Sequence, residues 1–422
     1  MKKKVLLVSQ HFWPENFRFN DLVNGLDRER IDLVVLTGKP NYPLGIFDEG
    51  YSFLRPLKET YKDITIYRSP LIARGTSKIQ LALNYISFPF FASFFSFFLH
   101  LKYRFHLTFV TQTSPIFMAI PALVLKIFFR VPSVLWITDL WPESLVATKT
   151  INNKKILSVV DVAVRVIYRL SDLILVSCKG FEKSVRKRHD QANIEYFPYW
   201  AEDFYSSLLP SDEKVNTEAK SLYDPNIFTL MFAGNIGVAQ GLETLVLAIK
   251  KVEHLNIRLL LLGDGRNRET LEQFVKDNEL EDKITFLGSR PGKEMPSFFS
   301  IADVMYLGLR NDETFKITVP SKIQSYLACA KPILASIEGE TEELINLAQC
   351  GLVSKFDDVE HLANNIQKFI SLTKEQRNEM GLNGHSYYSR FFKRDLQMKK
   401  ITNILYNFGE RNEVETCNNR RN

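Results

Sequence analysis

Cysteine is scarce in this chain of 422 residues. Cys178, Cys329, Cys350 and Cys417 stand far apart, with neither the paired spacing of a zinc site nor the density of a disulfide framework, and they read as reduced thiols. No Asp-x-Asp tripeptide occurs, so no such carboxylate pair is on offer to a divalent cation; no metal site and no bound cofactor are expected. A secretory leader is also missing from the start. Met1-Lys2-Lys3-Lys4 runs straight into Val5-Leu6-Leu7-Val8, too short for a signal core and expected to be a first buried strand. With 45% hydrophobic and 24% charged residues, the chain is neither disordered nor a multi-span membrane protein. Its length suits two domains of ordinary size.

Charge is unevenly distributed. Residues 1–205 hold 27 Lys and Arg against 18 Asp and Glu, about +9, whereas the whole chain carries +6. A basic first half and a slightly acidic second half suggest different partners for the two. No nucleic-acid partner is expected. The hydrophobic residues are uneven too. Ile79 to Leu101 contains seven phenylalanines and no formal charge, with Arg74 and Lys78 before it and Lys102 and Arg104 after it. Such a run could span a bilayer, lie on one, or be ordinary core. Asn84, Pro89 and His100 interrupt it, Ser87, Ser93 and Ser96 add polar points, and a span would break the surrounding strand–helix alternation. The segment is therefore read as a helix whose apolar face dips into a membrane interface, with Ile116 to Phe129 as a second and nearby cations meeting anionic lipid. The basic run Lys183 to Arg188 is consistent with this. The expected location is cytoplasmic, peripheral on the inner face of the cell membrane.

Strands are legible at Val5–Ser9, Asp32–Thr37, Ile64–Tyr67, Leu107–Thr111, Val134–Thr138 and Leu173–Ser177, with helical patterns between them. A polar, proline-punctuated stretch from Tyr196 to Phe228 is the expected interdomain connection. The alternation then restarts at Phe228–Ala233, Arg258–Leu262, Ile284–Leu287, Asp303–Leu307, Lys331–Ser336 and Gly351–Lys355. The fold class is α/β, with two doubly wound parallel sheets. The expected domains are 1–205, membrane-facing and acceptor-binding, and 206–385, which binds a nucleotide. A C-terminal helix over 386–410 is expected to pack back on the first domain, and 411–422 to be a disordered tail.

The chemistry is expected at the strand ends of the second domain. Gly234-Asn235-Ile236-Gly237 and Gly263-Asp264-Gly265 sit where buried strands give way to helices, where glycine lets a phosphate approach the backbone and a helix start offers free N–H groups. Pro320 and Ser321 open a helix, Ser321 as its expected cap, and place Lys322 in the first turn. A lone cation there opposes the helix dipole and is better explained by a diphosphate bound beside it.

Together with Ala239-Gln240-Gly241-Leu242-Glu243 and Lys331-Pro332-Ile333, these stretches resemble successive motifs of the retaining GT-B glycosyltransferases of family four. The resemblance is greatest to the bacterial subgroup that builds O-antigen and capsule repeats, N-acetyl-L-fucosamine transferases among them. Asp139-Leu140-Trp141-Pro142-Glu143-Ser144 resembles that subgroup's first-domain motif, and Phe197-Pro198-Tyr199-Trp200-Ala201 its interdomain stretch. The resemblance implies two Rossmann-like domains facing across a cleft, a UDP-sugar donor and a polyprenyl-diphosphate-linked saccharide acceptor. It implies catalytic roles for Asp139, Glu143 and Lys322, and donor contacts from Gly234, Asn235, Ile236, Gly237, Gln240, Asp264, Gly265, Arg266, Ser289, Arg290, Pro320, Ser321, Lys322 and Ser325. His11, Trp13, Glu15 and Arg18 fall on the acceptor side. The sequence departs from the family where it usually has a diphosphate-gripping Arg and Lys, here Asn235 and Gln240. It departs again at the ribose-binding glutamates, here Ile317 and Ser325, and at the first-domain His, here Thr138. Two other classes share features of this sequence: a sugar-nucleotide epimerase of the same architecture, and a non-catalytic membrane scaffold.

Overall fold

The computed structural model describes residues 2–147, 151, 153–205 and 215–408. It divides into two compact units, residues 1–198 with 395–422, and residues 199–394. The division thus comes at Pro198 and Tyr199, not at 205, and residues 386–394 stay with the second unit. The tail expected over 411–422 lies outside the described residues.

The first unit is built on β1 (Lys3–Val8), β2 (Ile31–Thr37), β3 (Lys58–Tyr61), β4 (Ile64–Arg68), β5 (Leu107–Gln112), β6 (Ser133–Ile137), β7 (Leu173–Val176) and β8 (Ile194–Tyr196). Their order is β3-β4-β2-β1-β5-β6-β7-β8, parallel except for β3 against β4. Val5 to Val8 are fully buried, as a central parallel strand covered on both faces requires. The sequence reading missed β3 and β8: β3 is a charged edge strand, Lys-Glu-Thr-Tyr, and β8 has three residues, so neither carries an apolar run.

The second unit follows with β9 (Phe228–Ala233), β10 (Ile257–Leu262), β11 (Ile284–Gly288), β12 (Val304–Gly308), β13 (Ile333–Ser336) and β14 (Gly351–Ser354). Here the order is β11-β10-β9-β12-β13-β14, all parallel. This is the doubly wound order. Its direction reverses between β9 and β12, as that of the first sheet reverses between β1 and β5. Ligands of such sheets bind outside the carboxyl ends of the strands at these switch points.

Six helices position the site residues and the apolar surface: α1 (Lys78–Tyr103), α2 (Ile120–Phe129), α3 (Lys154–Leu170), α4 (Lys322–Ala328), α5 (Lys374–Phe391) and α6 (Arg394–Asn407). The chain crosses into α6 at Arg394. Within the first unit Lys3 Nζ donates to the Tyr406 carbonyl (2.9 Å), Arg30 to Asn403 (2.7 Å) and Lys400 to the Tyr196 carbonyl (2.5 Å). α5 remains on the second unit, where the Gly381 backbone lies so near Ala330 that a Cβ would overlap the Ala330 carbonyl oxygen.

α1 is inside out. Asn84 and Ser96 are fully buried and Ser87 and His100 nearly so, while Ile79, Leu83, Ile86, Phe90, Phe94 and Phe98 face outward, Phe98 at 66% exposure. The polar residues that seemed to interrupt an apolar run are the ones holding the helix on the unit. Asn84 accepts from Gln10 (2.7 Å) and donates to the Ile72 carbonyl (2.6 Å), Ser87 accepts the Ile72 N–H (2.9 Å), and Ser96 donates to the Pro121 carbonyl (3.1 Å). Pro89 sits inside the helix without ending it, its carbonyl taken by Ser93 Oγ (2.6 Å). By length and composition α1 could cross a membrane.

Candidate functional site

At the switch point of the second sheet, the β9 and β10 turns are packed against each other. Gly234 N–H donates to the Leu262 carbonyl (2.8 Å), Gly263 N–H to Gly288 (2.9 Å) and Ile236 N–H to Asp264 (2.8 Å). Gly234 and Gly263 both have φ +140°, a region glycine adopts without strain. A Cβ on Gly263 would overlap the Gly234 carbonyl oxygen, and one on Gly265 the Ile236 carbonyl oxygen. The glycines therefore fit the turns to one another. This corrects the expectation of a free amide cradle over 234–237: the N–H groups of Gly234 and Ile236 are spent on the neighbouring turn.

Lys322 closes over that platform. It is the first residue of α4, and its Nζ lies 3.0 Å from where a Gly234 Cβ would stand, so a side chain there would crowd it. Nζ donates to Gln240 Oε1 at 2.7 Å and lies 4.0 Å from the centroid of the Phe232 ring. One turn along α4, Tyr326 Oη donates to the Ala233 carbonyl (3.1 Å) and accepts the Ala233 N–H (3.2 Å), fastening the helix to the end of β9. Burial pushes the Lys322 ammonium down to about 7. Ser321 stands at the N-cap position, but its side chain makes no capping bond, contrary to expectation, and Ser325 is buried in α4. Gln240, in place of a family cation, is a neutral acceptor for Lys322.

The remaining donor candidates are dispersed. Arg290 is engaged by Glu218 (2.5 and 3.0 Å), on the short helix Thr217–Leu222, and by the Ser289 carbonyl (3.0 Å). It tethers that helix to the loop after β11. Asp264 is exposed and accepts the Gly265 N–H (2.8 Å); Arg266 is also exposed. The structure brings together Gly234, Asn235, Gly237, Gln240, Gly265 and Lys322. It does not bring Arg290 to Lys322.

In the first unit, Asp139 follows β6. Its carboxylate accepts from Trp141 Nε1 (3.2 Å), and burial raises it to about 6 against the hydrogen bonds of Ser144 and Trp141, which lower it. Glu143 is placed differently. It opens a short helix, Glu143–Ala147, and accepts from Ser184 Oγ (2.6 Å) and Arg188 (2.7 Å), while Arg188 also bonds Asp161 (2.7 Å). Glu143 thus belongs to an ion network that braces the motif, whereas among the described residues no cation is bonded to the Asp139 carboxyl group. His11 and Glu15, on the loop after β1, are both buried and joined at 3.0 Å, and the other Glu15 oxygen accepts the Asn41 and Tyr42 N–H groups (both 2.8 Å). Glu15 is therefore a brace for His11. Trp13 stacks on Tyr61 at 4.9 Å, and Arg18 opens the helix Arg18–Gly25.

Sequence reasoning gave no role to Phe232, Tyr326 or Trp141, although Trp141 stands inside the Asp139–Ser144 motif. It also missed a polar lining. Among the described residues, Gln10 Oε1 at the end of β1, and Thr111 Oγ1, Gln112 Oε1 and Thr113 Oγ1 at the end of β5, are buried without a hydrogen-bond partner. They flank the switch point of the first sheet, where a polar ligand would satisfy them.

Asp139 gives a direct prediction. Its pKa is raised on folding, so its contribution to stability is full below about pH 4 and is lost as pH rises through about 6. Asp139→Asn, which can still accept from Trp141, should melt with the parent at pH 4 and roughly 2–4 °C above it at pH 7.5. Thermal melts at the two pH values check this.

Residues 214–387 match the family described as "Glycosyl transferases group 1". A probable glycosyltransferase of Pseudomonas aeruginosa, WbjE, is 26% identical over 237 residues, 55% of this chain and 57% of the relative, so the match spans little more than half that protein's length. A putative colanic acid biosynthesis glycosyl transferase of Escherichia coli K12, WcaI, is 22% identical over 350 residues, 80% of this chain and 84% of the relative. The crystal structure of Anabaena HepE in complex with UDP and glucose superposes with a TM-score of 0.68 at 15% identity, over 96% of this chain and 99% of that one. That likeness is one of fold: two Rossmann-like units of the GT-B class.

Proposed function

We propose that this chain, a GT-B protein whose residues 214–387 match the group 1 glycosyl transferases, moves a sugar from a UDP-sugar donor to a polyprenyl-diphosphate-linked saccharide. The reading retains the anomeric configuration and requires no metal. The donor sugar is N-acetyl-L-fucosamine or a related amino sugar, and the product enters O-antigen or capsule synthesis. The observation that carries the reading is Lys322 Nζ, seated over the Gly234 turn with Gln240 and Phe232 as its neighbours. A departing nucleoside diphosphate develops negative charge there, and a prearranged cation stabilises it. Lys322 takes the part a divalent ion plays elsewhere. Asp139 orients the acceptor hydroxyl. The neighbour HepE was crystallised with UDP and glucose, and WcaI is named for colanic acid biosynthesis, which agree with a nucleotide donor and a surface polysaccharide.

The membrane part of the proposal rests on α1 and what surrounds it. Beside its outward phenylalanines, Ile127 and Phe128 of α2, Val159, Val162 and Val166 of α3, and Leu44, Ile46 and Leu54 of the loop after β2 are exposed apolar residues of the same unit. The exposed cations Lys78, Lys102, Arg104 and Arg130 stand at the ends of α1 and α2. So large an apolar surface with cations at its rim fits the anionic inner face of the cell membrane.

The test is incubation with radiolabelled sugar nucleotides and a polyprenyl-diphosphate saccharide in anionic vesicles, with and without EDTA. Label transferred to lipid, in unchanged amount with EDTA, is the expected result, and NMR of the product gives the anomeric configuration. Interconversion of the donor without acceptor would identify an epimerase. No reaction of either kind would leave a membrane scaffold.

A further inference from the structure

The apolar surface of the first unit has concave regions, one of them a hollow of about 400 Å³ lined by Tyr67, Phe95 and Leu99 among others. Between α1 and α2 lies an open groove of about 490 Å³ lined by Tyr85, Ile86, Pro89, Phe90, Phe117 and Ile120 among others. This is a size typical of ligand pockets, roughly 300–1,000 Å³. Of the two hydroxyl-bearing residues that α1 gives to the lining, Tyr85 and Ser93, the Ser93 Oγ is spent on the Pro89 carbonyl (2.6 Å). A flat membrane-resting face has no need of such a groove.

The inner end of the groove leads to the acceptor motif. Tyr85 and Phe117 both meet Trp141 edge to face, at 5.9 and 5.8 Å between ring centroids, and Trp141 is buried with its indole N–H on Asp139 (3.2 Å). Asn84, the residue before Tyr85, is hydrogen-bonded to Gln10, the residue before His11 (2.7 Å). Groove, Trp141, Asp139 and the His11 loop are therefore one contiguous assembly within the unit. An apolar chain lying in the groove would end against the rings that pack on Trp141, one residue contact from the carboxyl group assigned to the acceptor hydroxyl.

We propose that this groove is the subsite for the isoprenoid chain of the lipid-linked acceptor, holding the units nearest the diphosphate. The assignment rests on the proposed function, in which the acceptor is polyprenyl-linked. Its occupant is the chain of the substrate and not an acyl chain of the bilayer, because two of the lining rings, Tyr85 and Phe117, pack on Trp141, whose indole N–H is bonded to Asp139. Aromatic faces on both walls suit the methyl branches and double bonds of an isoprenoid. The groove thereby contributes acceptor specificity, and the outward residues of α1 outside it, Ile79, Leu83 and Phe98, contribute membrane attachment.

Two measurements test this. In the first, Ser93→Trp fills the groove from a partly exposed position, leaving the outward phenylalanines intact. Transfer is followed with a polyprenyl-diphosphate saccharide and with the same saccharide diphosphate on a short saturated alkyl chain. The expected result is a fall in kcat/KM of at least about tenfold for the polyprenyl acceptor, the loss expected when a few methylene groups are denied burial. The alkyl acceptor and binding to anionic vesicles should be unchanged. An equal fall with both acceptors, or a parallel loss of vesicle binding, would overturn the proposal. In the second, the parent protein is photolabelled with a diazirine-bearing polyprenyl phosphate. Label is expected on peptides containing Tyr85 to Phe94 and Phe117 to Ile120, displaced by unlabelled polyprenyl phosphate and not by excess phosphatidylglycerol. Displacement by phosphatidylglycerol would make the groove an acyl-chain site and end the proposal. If the parent transfers to no lipid acceptor yet is labelled as expected, the proposed reaction fails and the groove assignment stands.

Discussion

Replacing Lys322 by methionine should lower kcat/KM for sugar transfer by about 10²–10³-fold, the loss typical of removing one preorganised group from a developing anion. Methionine keeps most of the side chain's packing against Phe232 while deleting the charge. Stability separates this loss from misfolding. A lysine depressed to about 7 destabilises the fold as pH falls through that value, because the unfolded chain binds the proton more tightly. Lys322→Met should therefore be at least as stable as the parent at pH 6. The same depression predicts proton uptake. At pH 8 the free amine is mostly neutral, and a bound diphosphate restores the ammonium, so UDP binding should take up close to one proton. Titration calorimetry in buffers of different ionisation enthalpy reads this directly. The parent should show the uptake and Lys322→Met should not. Equal uptake by both proteins, or full transfer by the variant, would remove Lys322 from the reaction.

The second large effect is structural. Gly263→Ala places a methyl group onto the Gly234 carbonyl oxygen at φ +140°, a backbone region alanine rarely adopts. Strain and overpacking together should cost about 3 kcal/mol or more, a large share of a domain's net stability. Relief would require the β9 and β10 turns to separate, which breaks the Gly234–Leu262 and Ile236–Asp264 hydrogen bonds and withdraws the platform under Lys322. Denaturant unfolding should show a lower midpoint, and any folded fraction should bind UDP weakly. Gly50→Ala is the control. That glycine also has positive φ, but a Cβ there would meet nothing within 4 Å, so its cost is only the local backbone term.

The buried strands of both sheets were legible in the sequence because a parallel strand covered on both faces must be a continuous apolar run. β3 and β8 were not, since edge strands lack that requirement. Lys322 stood out because a cation in a first turn has no local explanation, and the structure supplies the long-range one in Gln240 and Phe232. Arg290 and Glu143 were misleading for a common reason. Each sits at a suggestive position, but its partner, Glu218 or Arg188, is distant in sequence, and no local pattern announces an ion pair closed by tertiary structure. The glycine turns illustrate a subtler limit. Their spacing was read as an invitation to phosphate, whereas the first demand on those glycines is from one another.

α1 holds a consequence for how variation in this segment is to be interpreted. On most helices a serine is where change is tolerated and a phenylalanine is where it is not. Here Ser87, Ser96 and Asn84 make the hydrogen bonds that dock the helix, and Phe94 and Phe98 touch little of the protein. Any scale that ranks substitutions by hydrophobicity alone will order this stretch backwards, passing as mild the changes that unseat the helix and flagging as severe those that leave the fold alone.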